Sequence, residues 1–297
     1  MALDETAPTR DELCTILQNK SAHGKKGAIA AMVDGTNPDE ICKHLLTVDK
    51  ETREKVKEVT VDFSSSMRRI VKTCFPNAMI TVDLFHLIQL VSADLQDLRV
   101  RLKRQAKREE TKLRKAHEKK LAQRRKNHAE SVADGTRGRK PKRVNEAFEP
   151  QRLKNGDTIC ELLTRSRYLL AFTPDEWSEH QKERAKILFE MYPQLKTAYD
   201  LVHKLRMLFK NKRLTKEAAK PKLEEWCTQA LETKIDEFVA TVQTIQERED
   251  EILNYFVNHQ TNAAAESFNA KIKHFRAQLR GVSNKQFFLY RLCTLYC

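Results

Sequence analysis

The sequence lacks the features that would mark a disulfide-linked, zinc-stabilised or membrane-embedded protein. Its seven cysteines are scattered over 297 residues. None forms a Cys-x-x-Cys pair or has a histidine at zinc-ligand spacing, so neither a disulfide framework nor a structural zinc site is supported. No apolar run approaches the roughly 20 residues that a membrane helix needs, and no signal-peptide core is visible. We therefore expect reduced thiols, a cytoplasmic location and no membrane partner.

Acidic residues are few relative to basic ones. The 55 Lys and Arg against 41 Asp and Glu give a formal net charge of +14, which suits a partner that is a polyanion such as nucleic acid. The excess is local, because residues 101–143 hold 18 Lys or Arg and 5 Asp or Glu. We predict that this basic tract binds DNA; a solvated helix face is the alternative. Within a Gly- and Pro-containing stretch at its end lie Arg137, Arg139, Lys140, Lys142 and Arg143.

Two short β-branched apolar runs, residues 59–61 and 78–82, are each followed directly by an aspartate, Asp62 and Asp83. The segment between them has helical spacing, so the pattern predicts a strand, a helix and a second parallel strand. A carboxylate at the C-terminal end of a parallel strand lies at the crevice where open α/β sheets bind ligands. The alternative is that both aspartates only cap the helices that follow them.

The segments before this unit predict three strands, at residues 2–4, 13–17 and 28–33, and then a helix that Asn37 caps. The resulting order, three antiparallel strands feeding a helix and then alternating parallel strands, is the layout of ribonuclease H-like folds. We expect an α+β or α/β protein with a mixed five-stranded sheet, flanking helices and a large all-α insertion.

Helical periodicity dominates the rest of the chain. A stripe of apolar residues at steps of three and four runs from Leu84 to Leu102, and the pattern between about 157 and 258 is helical throughout. We therefore predict a core over 1–95, a helical insertion over 96–257 that includes the basic tract, and C-terminal helices over 258–297 that return to the core.

Three acids on separate predicted elements are candidates for one site. Asp4 lies on the first strand, Asp62 follows the fourth, and Glu266 lies in the first turns of a late helix. Carboxylates that converge in this way can hold two Mg²⁺ ions for phosphoryl transfer on nucleic acid. The spacing alone leaves open whether they do converge, and Glu266 could equally be an ordinary helix acid.

Six segments of the chain resemble the ISL-three family of bacterial insertion-sequence DDE transposases, and the likeness extends over nearly the whole sequence. They are Ala2-Leu3-Asp4-Glu5, Gly24-Lys25-Lys26-Gly27, Glu58-Val59-Thr60-Val61-Asp62, Phe75-Pro76-Asn77-Ala78, Asp83-Leu84-Phe85-His86 and residues 261–273. The resemblance implies a ribonuclease H-like domain with a helical insertion before the last acid. It gives Asp4, Asp62 and Glu266 the role of metal ligands for two Mg²⁺ or Mn²⁺ ions.

Further roles follow from this resemblance. It implies that Asp83 and His86, as a D-x-x-H motif, support the site together with Asn262 and Asn269, while an N-capping role is the alternative for Asn262. On the exposed face of the same late helix, Asn269, Lys271 and Lys273 are placed to meet phosphate. The implied activity is metal-dependent cleavage and strand transfer of an insertion sequence. The implied partners are transposon ends and target DNA, bound as double strands by a homo-oligomer at the bacterial nucleoid.

The chain departs from the family pattern at its start. The family has a zinc-binding and helix-turn-helix region before the catalytic domain, and only three residues precede Asp4. We expect either a truncated copy or one half of a split gene, with an N-terminal DNA-binding domain encoded separately. Two other interpretations stay open at this point: a non-catalytic DNA-binding remnant, and a ribonuclease H-like nuclease.

Overall fold

The computed structural model describes residues 1–6, 13–133, 147–259, 263–279 and 284–297. Its sheet has five strands in the order β3-β2-β1-β4-β5. The strands are β1 (Ala2–Thr6), β2 (Cys14–Gln18), β3 (Ile29–Asp34), β4 (Glu58–Val61) and β5 (Met79–Val82). β1, β2 and β3 pair antiparallel, whereas β4 pairs parallel with both β1 and β5. The predicted ribonuclease H-like α+β fold with a mixed five-stranded sheet is therefore confirmed.

Thirteen α-helices lie in the described part of the chain. They are α1 (Pro38–Leu45), α2 (Lys50–Glu54), α3 (Ser65–Cys74), α4 (Leu84–Ala133), α5 (Ile159–Leu169), α6 (Glu179–Met191), α7 (Pro193–Lys210), α8 (Lys216–Glu232), α9 (Glu237–Glu247), α10 (Glu249–Leu253), α11 (Tyr255–Asn258), α12 (Ala263–Gln278) and α13 (Lys285–Tyr296). Two short 3-10 helices, Lys20–Ala22 and Pro174–Glu176, complete the set. The helix α2 is an addition to the order that the sequence predicts.

Alternation along the strands gives the sheet two differently covered faces. One face, which includes Leu3 and Val61, packs against α1 and α3 in an apolar cluster with Ile41 and Ile70. The other face carries Ile16 and Ile29, and their cluster is completed from α12 and α13 by Phe268, Ile272, Phe288 and Leu292. Because successive strand residues point to opposite faces, Asp4 stands on the second face, next to Ile16 in the β1–β2 register.

The helices of the first half begin where capping residues satisfy free backbone donors. Asn37 accepts a hydrogen bond from the backbone of Asp39 at the start of α1, and Pro38 occupies the first turn. Ser64 accepts from the backbone of Met67 at the start of α3. The end of β4 therefore leads into a helix within three residues, which holds Asp62 in a short connection.

The long helix α4 changes character along its length. The predicted apolar stripe is confirmed, since Leu87, Val91, Leu95, Leu98 and Leu102 are buried. Beyond Leu102 most side chains are exposed, and acids of the basic tract pair with neighbouring bases of the same helix, as Glu109 does with Lys112. The five basic residues at the end of the tract, from Arg137 to Arg143, lie outside the described residues.

The described chain packs into two compact units. One comprises residues 1–91, 204–234 and 238–297 and contains the sheet; the other comprises residues 92–203 and 235–237. All seven cysteines are free thiols, in agreement with the sequence. None of the described helices is long and apolar enough to cross a membrane. The domain boundaries at 95 and 257 stay a prediction.

Candidate active site

Asp4 lies on β1, and Asp62 directly follows β4, the parallel strand beside it. Ala2 of β1 lies opposite Thr60 of β4. Asp4 lies two residues after Ala2, and Asp62 lies two residues after Thr60. The negative charge of Asp62 contributes to the raised pKa of Asp4, as expected for two carboxylates a short distance apart. The structure thus brings together two of the three acids that the sequence singles out.

Each of these carboxylates is oriented by hydrogen bonds. The Asp4 carboxylate accepts from the backbone nitrogen of Glu5 at 2.8 Å and from Nδ2 of Asn269 at 2.6 Å. The Asp62 carboxylate accepts from the backbone nitrogen of Ser64 at 2.7 Å. This last bond is the local turn expected of an acid just before a helix, so Asp62 both shapes the turn and lies at the strand end beside Asp4.

The pKa of the Asp4 carboxyl lies above its ordinary value. Burial is the largest cause and the charge of Asp62 adds to it, whereas the hydrogen bonds from Glu5 and Asn269 and the charge of His86 act in the opposite direction. Burial raises a carboxyl pKa because the ionised form loses its solvating water. A cation next to Asp4 would favour the ionised form, so this position is electrostatically suited to bind one.

Asp83 and His86 form a pair at the start of α4. Asp83 is almost fully buried, and its carboxylate bonds to Nδ1 of His86 at 2.9 Å and accepts from the backbone nitrogen of Phe85 at 3.2 Å. The hydrogen bond to Asp83 raises the pKa of His86, and the charges of Asp83, Asp62 and Asp4 act in the same direction. Because a carboxylate only accepts, Nδ1 of His86 carries a proton. The Asp83 carboxylate thus binds the backbone at the start of α4 and also holds the His86 ring; its role in supporting the site stays a prediction.

The helix α12 reaches the site through Asn269. Its amide oxygen accepts from Nε2 of Gln18 at 3.2 Å while its nitrogen donates to Asp4. On the same helix Lys271 donates to the backbone oxygen of Gly24 at 3.1 Å, and Lys273 is exposed. Glu266 belongs to α12 through its backbone, but its side chain lies outside the described residues, and so does Asn262.

The sequence did not single out four residues that the structure places at or near this site. Gln18 holds Asn269, and the pKa of Glu5 is raised by burial and by the charges of Asp62 and Asp4. Lys20 donates to Thr60 Oγ1 at 2.7 Å on the sheet. The ring of Phe85 is 57% exposed beside His86. Glu5 and Phe85 belong to two of the segments that resemble the transposase family. Gln18 and Lys20 belong to none of them, and no local sequence pattern marks either residue.

The donor atoms that are present suit a divalent cation. Within the described side chains no three His, Cys, Asp or Glu residues are grouped so as to hold a metal ion, and the third predicted ligand, Glu266, is not among those side chains. The oxygens of Asp4 and Asp62 are hard ligands of the kind that Mg²⁺ binds. Burial and repulsion at Asp4 make a positive charge favourable there.

Comparison with known proteins bears on what such a site does. A family model for the ISL-three DDE transposases, described as a transposase, matches residues 1–292. No curated protein and no solved structure gives a significant match to the chain. The matched residues include all five strands and both aspartates of the candidate site. The chain therefore belongs to the ISL-three family of DDE transposases.

Proposed function

We propose that the chain catalyses the DNA cleavage and strand transfer that move an insertion sequence, with Asp4, Asp62 and Glu266 as metal-binding carboxylates. The observation that carries this proposal is the proximity of Asp4 on β1 to Asp62, which directly follows the adjacent parallel strand β4; burial and, less strongly, the charge of Asp62 raise the pKa of Asp4. Such a pair is costly without a cation. It is the kind of pair that metal-dependent phosphoryl transfer uses.

Mg²⁺ or Mn²⁺ would be held by the oxygens of Asp4 and Asp62. Two such ions, when bound, activate the attacking oxygen and stabilise the leaving oxygen of a phosphodiester. The chain's own residues keep the ligands in place: Asn269 fixes one oxygen of Asp4, and the backbone of Ser64 fixes one oxygen of Asp62. The hydrogen bond between Nδ1 of His86 and Asp83 holds the imidazole near both aspartates and raises its pKa.

Glu266 is the proposed third ligand. Positions 266 and 269 are three residues apart in α12, and residues with this spacing lie on the same side of a helix. Since Asn269 contacts Asp4, position 266 belongs to the side of α12 that faces β1. This supports convergence of the three acids although 203 residues separate Asp62 from Glu266.

We propose double-stranded DNA, as transposon ends and as target, for the substrate, with a homo-oligomer assembling on it. The basic tract 101–143 and Lys273 of α12 would contact phosphates, which position DNA without reading its sequence. Family membership and the net charge of +14 support DNA as the partner.

The test is an assay with transposon-end oligonucleotides and a target duplex, with and without Mg²⁺ or Mn²⁺. We expect metal-dependent joining of 3′-hydroxyl ends to target, which Asp62→Asn and Glu266→Gln abolish while DNA binding stays nearly unchanged. Glu40→Gln is the matched control, because Glu40 is an exposed acid of α1 and its loss changes the charge equally.

The outcomes separate the alternatives. Cleavage without joining would identify a ribonuclease H-like nuclease, and DNA binding with neither activity would identify a non-catalytic remnant. Joining that survives Asp62→Asn or Glu266→Gln would contradict the assignment of the site.

A further inference from the structure

We propose that the loop between β2 and β3, residues 19–28, is a second contact surface for the DNA backbone, on the opposite flank of α12 from Asp4. The residues that would bind phosphate are Lys25 and Lys26. This inference rests on the proposed function for the identity of the partner. It adds a surface in the sheet-bearing unit, separate from the basic tract of α4.

The β2–β3 loop has a defined conformation. The backbone nitrogen of Asn19 donates to Ala28 at 2.8 Å where the loop begins and ends, and the nitrogens of Lys25 and Ala28 close two further turns within it. Gly24 and Gly27 adopt φ values of +68° and +83°, which side-chain-bearing residues rarely adopt. The loop therefore holds the exposed Lys25 and Lys26 in place with little further ordering needed to bind a partner.

The helix α12 fixes the position of this loop. Nζ of Lys271 donates to the backbone oxygen of Gly24 at 3.1 Å, and a Cβ at Gly24 would come within 2.9 Å of that nitrogen. Glycine at this position leaves room for the close approach. Lys271 is thereby assigned as the tether of the loop, which differs from the direct phosphate contact that the sequence predicts for it.

The same helix separates the loop from the aspartates. Phe268 and Ile272 of α12 pack in the apolar cluster on the sheet. The side chain of Asn269 contacts Asp4, and that of Lys271 contacts Gly24. Residues two apart on a helix point in nearly opposite directions. Asp4 and the β2–β3 loop therefore border the exposed surface of α12 on its two flanks.

Two segments on this side of the sheet, apart from the acids of the candidate site, are basic. Residues 13–33 contain three lysines and no Asp or Glu, and residues 267–297 contain six Lys or Arg and again no Asp or Glu. The helices on the opposite face differ, because residues 38–54 mix Asp and Glu with Lys and Arg. Two basic segments next to the aspartates fit a polyanionic chain better than a protein with mixed charge.

The width of an α-helix suits the major groove of duplex DNA. An α-helix with its side chains is about 10–12 Å across, and the major groove of B-DNA is about 12 Å wide and admits a helix. In the proposed complex one strand would lie at Asp4 and Asp62 with the groove facing α12, and phosphates of the other strand would contact Lys25 and Lys26. Each neutralised phosphate releases counterion and steepens the salt dependence of binding.

The experiment measures binding of the full chain to a short duplex over a range of salt concentrations. We expect Lys25→Ala with Lys26→Ala to lower the slope of log K against log salt by about 0.9 for each phosphate that is no longer neutralised. The matched control is Lys43→Ala with Lys72→Ala, which removes two exposed lysines from α1 and α3 on the opposite face. This control should leave the slope unchanged.

Two results would overturn the proposal. One is an unchanged slope in the loop variant; the other is an equal decrease in slope with a single-stranded oligonucleotide of the same length, which would show that the second strand is not what the loop binds. Metal-dependent strand joining by the parent chain is measured in parallel. If joining occurs and the slope does not change, this inference fails while the proposed function stands, and absence of joining counts against the function alone.

Discussion

The side-chain amide of Asn269 donates a 2.6 Å hydrogen bond to the carboxylate of Asp4, although the two residues are 265 positions apart in the chain. Its amide oxygen is used at the same time by Gln18. An amide has one acceptor end and one donor end, so Gln18 requires the nitrogen of Asn269 to face Asp4. Strand β2 and helix α12 therefore jointly fix one oxygen of Asp4.

Replacing this amide should weaken metal binding. Asn269→Ala removes a hydrogen bond that lowers the pKa of Asp4, so that pKa rises further and the ionised form becomes harder to reach. Hydrogen bonds to charged groups contribute about 1.5–3 kcal/mol. We therefore expect the Mg²⁺ concentration that gives half-maximal strand joining to rise roughly tenfold. Ser267→Ala, an exposed change on the same helix, is the control, and an unchanged Mg²⁺ requirement would refute the role of Asn269.

Mg²⁺ should raise the stability of the folded chain at neutral pH. A ligand that binds only the folded state adds about 2.7 kcal/mol at a hundred times its dissociation constant. The measurement is the unfolding temperature with and without Mg²⁺ in the parent, in Asp62→Asn and in Glu40→Gln. We expect the increase in the parent and in the control. An equal increase in Asp62→Asn would mean that Mg²⁺ binds elsewhere.

The stability of the metal-free chain should depend on pH through Asp4. Its pKa is raised in the folded state, mainly by burial, so between the ordinary value and the raised value the folded chain binds more protons than the unfolded chain. The contribution of Asp4 to the free energy of unfolding therefore falls as pH rises through this window. Urea titrations at several pH values measure the free energy of unfolding of the parent and of Asp4→Asn. We expect the value for the parent to fall relative to that for the variant as pH rises, and a difference that does not change with pH would contradict the prediction.

Local pattern was sufficient for the sheet but not for the contacts across it. The runs before Asp62 and Asp83 predicted β4 and β5, because β-branched apolar residues in a short stretch fit a strand buried on both faces. The hydrogen bond from Gln18 to Asn269 joins residues 251 apart. Their neighbours in sequence give no sign of it, since pairing between distant polar side chains depends on how α12 packs on the sheet.

The length of α4 also could not be read from apolar periodicity. Its stripe ends at Leu102, yet the helix continues to Ala133. The continuation is rich in residues with high helix propensity and carries pairs of opposite charge four apart, such as Arg114 with Glu118. Helix propensity and these ion pairs can maintain a helix that has no buried face. Such a helix has no apolar periodicity by which it could be recognised in the sequence.

His86 should titrate above its ordinary range because of Asp83. The hydrogen bond to Asp83 is the main cause of the raised pKa of His86. The contribution of this bond to the free energy of unfolding is therefore complete below the unfolded-state pKa of the histidine, and it is lost as pH rises through the folded-state pKa. NMR titration of the His86 ring should give a pKa above about 6.5 that falls in Asp83→Asn. Glu40→Gln, a change at an exposed acid of α1, is the control variant and should leave the titration of His86 unchanged. A His86 pKa that does not respond to Asp83→Asn would contradict the pairing.

The end of the basic tract should supply part of the sequence-independent DNA affinity. Replacing Arg137, Arg139, Lys140, Lys142 and Arg143 with Ala should lower the slope of log K against log salt by about 0.9 for each phosphate that these side chains neutralise in the parent. These residues lie outside the described part of the chain, so the expectation rests on their charge and sequence context. A slope equal to that of the parent would remove this stretch from the interface.

A buried ion cluster next to Asp62 should be important for stability. The carboxylate of Glu251 in α10 bonds to Nε of Arg68 at 2.5 Å and to Nε of Arg248 at 2.7 Å. The Arg248 guanidinium lies 5.4 Å from the ring centre of Phe63, the residue after Asp62. The cluster therefore supports the connection that holds Asp62.

Glu251→Gln should destabilise the chain because it leaves Arg248 buried without a counter-charge. The side chains of Arg248 and Glu251 are only 8% and 11% exposed, and Nη2 of Arg248 already has no hydrogen-bond partner among the described residues. Breaking a buried ion pair on one side costs about 3–5 kcal/mol; since Arg68 is 39% exposed and solvent screens its share, we expect about 3 kcal/mol by urea unfolding. Asp250→Asn, in the same helix but 85% exposed, should cost less than about 1 kcal/mol. Equal destabilisation in the two variants would show that the cluster contributes no more than a surface ion pair.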